Sequence, residues 1–233
     1  IEFNLRNRGT IYFPAPSAFY RVSQPLDFSE NKTSFFLLGD MSEIRGNFSD
    51  YVIKRGVNGT DAQSGGNSIE KLIITNTHAT GGGIRFGMSQ CAAIRNCIIT
   101  ANKGISTANM DTQLNSGWWG SLEVVIENCV LSPGSNTSGS RGIITMSDGP
   151  ILSCRFIGFD IGLSVFGGQG AQSIAGCYFE GNGIGYQPIS PSNVADGGAS
   201  VTISGCYFKN NGTAILDSRG SSIRGCRIEG AQG

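Results

Sequence analysis

One spacing of apolar and polar residues recurs along most of this chain. Six segments place isoleucine three residues before a cysteine and an apolar residue two after it: Ile94/Cys97/Ile99, Ile126/Cys129/Leu131, Ile151/Cys154/Phe156, Ile174/Cys177/Phe179, Ile203/Cys206/Phe208 and Ile223/Cys226/Ile228. A seventh, Ile69/Leu72/Ile74, has leucine at the centre. Residues two apart on a strand face the same way. The isoleucine joins them on that side only if the chain bends just before the centre. Gly or Asn stands there in five of the seven copies, and both tolerate the left-handed backbone that such a bend needs. Each copy therefore predicts strand, one-residue corner, strand.

Most copies are followed by a second phrase: Gly104-Ile105, Gly142-Ile143, Gly162-Leu163, Gly183-Ile184 or Ala214-Ile215. It supplies a third strand. Successive centres lie 25, 32, 25, 23, 29 and 20 residues apart, the length of one solenoid turn. Leucine-rich repeats overlap in length but need leucines at fixed offsets, which are absent. The prediction is an all-β, right-handed, single-stranded parallel β-helix with about three short strands per coil and roughly seven to nine coils. Opening strands and first coils occupy 1–66, and regular coils 67–233, in one continuous domain.

Composition agrees. Of 233 residues 35 are glycine and only 15% are charged, and helical periodicity is nowhere sustained. With 17 basic and 17 acidic residues and no basic stripe, nucleic acid is excluded as a partner. No apolar run is long enough to predict membrane insertion. The final Cys-Arg-Ile-Glu-Gly repeats an internal phrase, which suggests a fragment of a longer chain. The repeat cysteines are expected to stack inside the coil about 4.8 Å apart, a separation open to thiols and to disulfides alike. Interchange with Leu72 and an odd total of seven favour a reduced, space-filling stack. No zinc-type spacing occurs, and neither metal nor cofactor is expected.

Arg8-Gly-Thr-Ile-Tyr-Phe-Pro14 followed by Tyr20-Arg-Val-Ser-Gln-Pro-Leu26 is similar to the opening segment of the pectate-lyase-like β-helix superfamily. Gly158-Phe-Asp-Ile-Gly162 and Asn210-Asn-Gly-Thr-Ala-Ile215 resemble its coil phrases. Within that group the mix looks most like bacteriophage tailspikes and related appendages. The resemblance implies a homotrimer in the virion, or a secreted protein, that binds or cleaves bacterial surface polysaccharide. The enzymatic motifs of the group do not carry over. Asn76-Thr77-His78 has histidine where a polygalacturonase-like phrase has its carboxylate, and no Asp-Asp pair or Gly-His-Gly follows.

Ligands of a solenoid bind outside it, on a face or in inserted loops. Two long insertions, 108–122 and 186–200, and a shorter one, 167–173, leave from the same point of the coil. They carry Asp111, Trp118, Trp119, Gln169, Tyr186 and Asp196. Trp118, Trp119, Tyr186, Gln169 and Arg85 are the glycan-binding candidates, since aromatic rings stack on the apolar faces of sugars. Equally, a tryptophan there can plug the loop or meet a trimer neighbour. Asp111, Asp148 and Asp196 are the catalytic candidates, because glycoside hydrolysis needs two converging carboxylates; Asp is also a common turn cap. His78, the single histidine, reads as a solvent-facing turn residue. The outward row of the Gly-Ile strands is expected to be Arg85, Ser106, Ile144, Ser164, Gly185 and Leu216, with Ile144 and Leu216 offered to a neighbouring subunit. Three functions follow: a glycan-recognising appendage, a polysaccharide hydrolase or lyase, and a trimeric structural spacer.

Overall fold

A computed structural model describes residues 9–15, 19–29, 34–55, 64–87, 89–107, 123–166, 171–189, 200–216 and 221–230. The chain winds as a right-handed parallel β-helix with three faces. The first carries Ala93–Arg95, Val125–Glu127, Ile151–Leu152, Ala171–Ala175, Ser200–Ser204 and Ser221–Arg224. The second carries Ile98–Thr100, Val130–Ser132, Arg155–Ile157, Tyr178–Glu180, Tyr207–Lys209 and Arg227–Glu229. Two longer strands, Phe35–Gly46 and Ser68–Asn76, run through the corner and serve both. The third face is an eight-stranded sheet from Leu26–Asp27 to Thr213–Ile215.

The predicted corner is present in all seven copies. Lys71, Asn96, Asn128, Ser153, Gly176, Gly205 and Gly225 have φ between 52° and 61°. Lys71 and Ser153 adopt the left-handed region despite their side chains, and Ser153 N donates from it to Ala175 O of the next coil at 2.9 Å. An eighth copy precedes these. Ser42 aligns with Leu72 and Leu37 with Ile69, with two extra residues between them that hide the spacing. Met41, just before Ser42, takes the corner at φ 57°.

Stacking in register turns each repeat position into an inward column. The first runs Leu37, Ile69, Ile94, Ile126, Ile151, Ile174, Ile203, Ile223. The second runs Ile44, Ile74, Ile99, Leu131, Phe156, Phe179, Phe208, Ile228. Its three phenylalanines stack nearly parallel, 4.6 Å between successive centroids. Between these columns stand the cysteines, all free, with Cys97, Cys129, Cys154, Cys177 and Cys206 buried. Each thiol donates to the carbonyl of the preceding coil's isoleucine, as Cys154 Sγ does to Ile126 O at 3.7 Å. Hydrogen bonding with Cys129, then burial, pushes Cys97 well above the ordinary thiol range.

The third face puts Ile53, Ile84, Ile105, Ile143, Leu163, Tyr186 and Ile215 inside. Here two expectations are corrected. Leu163 pairs with Tyr186, not with Ile184, so the fourth Gly-apolar phrase is Gly185-Tyr186. Gly185 accordingly leaves the outward row, where Gln187 pairs with Ser164 instead. The glycines of this phrase are required for space. A methyl on Gly142 would collide with Gly162 O and the Phe156 ring, and one on Gly185 with Ala214 O and the Phe208 ring.

Two substitutions test this packing in denaturant titrations. Phe179→Ala should lose roughly 3–5 kcal/mol, as a buried aromatic truncation does. Gly142→Ala should also destabilise, whereas Tyr178→Ala, outward on the same strand as Phe179, should cost about 1 kcal/mol or less.

Candidate functional site

The connection from the third face to the first is where the coils differ most. Third-face strands Lys103–Ser106, Ile161–Phe166 and Ile184–Ile189 are followed on the first face by Val125–Glu127, Ala171–Ala175 and Ser200–Ser204. These strands belong to continuous in-register ladders. Segments 108–122, 167–170 and 190–199 therefore leave from one corner of three coils. Asp111, Trp118, Trp119, Gln169 and Asp196 fall in them and lie outside the described residues. The coil between the first two crosses the same corner in a short turn, Met146 to Pro150, which carries Asp148.

Three side chains from successive coils meet this corner. Cys91 and Glu123 each occupy a left-handed backbone position, φ 49° and 54°. The Cys91 thiol donates to Glu123 Oε2 at 3.1 Å; that bond, then the carboxylate's charge, raises the thiol's pKa. One coil on, the Ser147 hydroxyl accepts from Val124 N at 2.7 Å and locks the turn to the strand that follows Glu123. Asp148 Oδ1 is buried with no hydrogen-bond partner among the described residues. Burial, then the charge of Glu123, raises the Asp148 carboxyl. The corner thus holds two acids in unlike environments, one disfavoured as an anion, which is the arrangement acid–base chemistry uses.

A second charged group sits on the outer side of the third face, in the early coils. Lys54 Nζ lies 2.7 Å from Asp50 and 3.2 Å from Asp27. Burial would raise Asp50, but the Lys54 and Tyr51 N–H hydrogen bonds and the charges of Lys54 and Arg85 outweigh it and leave the carboxyl lowered. Arg85 sits beside Tyr51, 5.8 Å from the ring centroid. Sequence reasoning found Arg85 but not Asp27, Asp50 or Lys54, whose coils carry no cysteine phrase.

No protein-family model matches the chain, and no curated protein matches it. Its fold is similar to that of two solved structures. One is Geobacillus virus E2 ORF18, at TM-score 0.67 and 14% identity, covering 95% of this chain and 45% of that one. The other is the pectin methylesterase from Aspergillus niger in deglycosylated form, at TM-score 0.61 and 10% identity, covering 97% and 78%. What is shared is the parallel β-helix. The chain spans under half the length of the viral protein.

Two expected site residues of this β-helix change meaning. Tyr186 is fully buried as an inward column residue, so its ring is closed to a glycan; its hydroxyl lies 3.4 Å from Ser221 Oγ. The second insertion correspondingly starts beyond Ile189 and not at Tyr186. Ile144 is also fully buried, as are its row neighbours Ser106 and Ser164, so Ile144 cannot serve a subunit interface. Leu216 remains exposed. His78 lies in a turn, where Nδ1 accepts from Thr80 N at 3.3 Å. Among the described residues no group of three or more His, Cys, Asp or Glu is placed to hold a metal ion, and no helix is long and apolar enough to cross a membrane.

The raised Asp148 carboxyl has a consequence for stability. Folding favours its protonated form, so the penalty is absent in acid and complete once pH rises above the folded pKa. Asp148→Asn should therefore melt higher than wild type at pH 7, with the difference shrinking as pH falls through the carboxylate range. Thermal melts of both proteins from pH 3 to 8 check this.

Proposed function

We propose that this β-helix is the polysaccharide-recognising part of a virion tail appendage and engages a bacterial surface glycan along the corner between its third and first faces. The carrying observation is that three variable segments open from that single corner, with Glu123 and Asp148 between them. A rigid solenoid whose coil lengths vary at one edge can offer successive segments there to an extended ligand. Trp118, Trp119 and Gln169 are the proposed contacts there. The two solved structures of like fold, a viral protein and a pectin methylesterase, support a virion and carbohydrate setting. A homotrimer with Leu216 at its interface belongs to the same proposal.

A second reading, depolymerisation, is favoured by Asp148. A carboxyl raised by burial and by the charge of Glu123 gives up its proton at higher pH than a free one, which suits a group that protonates a departing glycosidic oxygen. Glu123, or Asp111 or Asp196 from the insertions, would supply the partner carboxylate.

Purified surface polysaccharides from a bacterial panel separate the readings. One of them should be retained by the protein, and Trp118→Ala or Trp119→Ala should weaken retention by about tenfold, the scale of a lost aromatic contact. New reducing ends that disappear in Asp148→Asn would make the protein a depolymerase; retention without them makes it a binding module. A protein that retains and cuts nothing is a structural spacer, and the proposal fails.

A further inference from the structure

The second face carries an outward column that the loop edge does not use. Arg155, Tyr178, Tyr207 and Arg227 stand in register on four successive coils. The tyrosine rings meet edge to face at 71°, with centroids 5.2 Å apart. The Arg155 guanidinium lies 5.2 Å from the Tyr178 ring and Arg227 lies 5.1 Å from Tyr207. Two residues along each of the later strands, a parallel column reads Glu180, Lys209, Glu229. Lys209 reaches Glu180 at 3.6 Å and Arg155 reaches it at 3.9 Å. Arg227 holds Glu229 at 3.0 Å, and Glu229 also accepts from the Tyr207 hydroxyl.

Three cations face two carboxylates on this strip, so it carries a net positive charge. The contacts to Glu180 are long, and the Arg155 and Arg227 side chains are 52% and 74% exposed. Exposed pairs of this kind contribute about 1 kcal/mol at most, so an arriving carboxylate exchanges with Glu180 at little cost. Toward earlier coils the same column continues as Val130 and Ile98, an apolar extension of a flat strand surface.

We propose that this Arg–Tyr–Tyr–Arg column is a docking strip for an anionic polysaccharide, with sugar faces on Tyr178 and Tyr207 and carboxylates on Arg155, Lys209 and Arg227. Aromatic rings with guanidinium groups suit a ligand that is apolar on one face and acidic at its edge. A single excess charge is too little for phosphate-dominated nucleic-acid binding. A second copy of the chain would bring the same excess charge to the same strip. In a three-faced coil this face lies opposite the corner with Glu123 and Asp148, so the strip stands independently of the reading above.

Native electrophoresis through gels containing alginate or hyaluronate, compared with dextran gels, tests the strip. Wild type should be retarded by the acidic polymers and not by dextran. The Tyr178→Ala/Tyr207→Ala and Arg155→Gln/Arg227→Gln doubles should each bind about tenfold more weakly, with Tyr207→Phe close to wild type. Lys209→Gln, which alters one exposed cation, should also weaken binding and stands in for any double that fails to fold. Arg95→Gln, which removes a cation on the first face away from the strip, should leave the retardation unchanged. Equal wild-type mobility in all gels overturns the proposal, as does retardation that survives in the folded strip variants. Retardation that follows protein concentration in polymer-free gels assigns the strip to self-association and overturns it too.

Discussion

The structure hangs on one bend per coil. A left-handed residue directly before the cysteine position turns the chain so that isoleucine, cysteine and the next apolar residue all point inward. The bend fixes register as well. A slip of one residue would send every inward side chain of a strand to solvent, and it would move the left-handed residue off the corner. Backbone hydrogen bonds between coils then hold the corner of each coil against those of its neighbours. Met41, Lys71 and Ser153 take that conformation too, although their side chains disfavour it.

Stacking imposes a second condition: neighbours in a column must fit one another as well as the coil. The Phe156, Phe179 and Phe208 rings fill the interior against the third face, and only glycine leaves room there. Beside this column the thiols fill the interior and donate to the coil before, in phenylalanine and aliphatic coils alike. Two interior asparagines are satisfied in the same coil-to-coil manner. Asn182 Nδ2 donates to Asn211 Oδ1 at 2.9 Å, and Asn211 Nδ2 donates to Phe179 O at 3.0 Å.

Much of this was legible in the sequence because a column is a repeat, and a repeat shows as spacing. The bend, the inward triplets and the third strand follow from seven copies of one phrase. The coil through Ser42 was not legible, since two extra residues break the interval that identifies the others. Tyr186 was misread because Gly183-Ile184 imitates the phrase that Gly185-Tyr186 supplies. The usable signal was the distance from the preceding ring, the same from Phe156 to Leu163 as from Phe179 to Tyr186. The outward row of the third face was legible as residues but not as environment. Alternation says that Ser106 and Ile144 point away from the core, and nothing in it says that they are closed to solvent. Asp148 was found as an acid near the insertions, while its tie to Glu123 required the register between two coils 25 residues apart at their cysteines.

That division bears on where function can reside. Inward positions are bound by two neighbours each, and a change there propagates along the column. The corner between the third and first faces has no such obligation, and it is the place where coil length varies. A half-buried carboxyl with one oxygen that meets no hydrogen-bond partner among the described residues works against folding, yet the turn from Met146 to Pro150 holds Asp148 in that state. Ser147 already anchors the turn by accepting from Val124, so Asp148 is not needed to close it. Its neighbour Glu123 deepens the penalty. Asp148 is thus a residue that the packing does not require and the electrostatics oppose, at the corner from which the three segments depart.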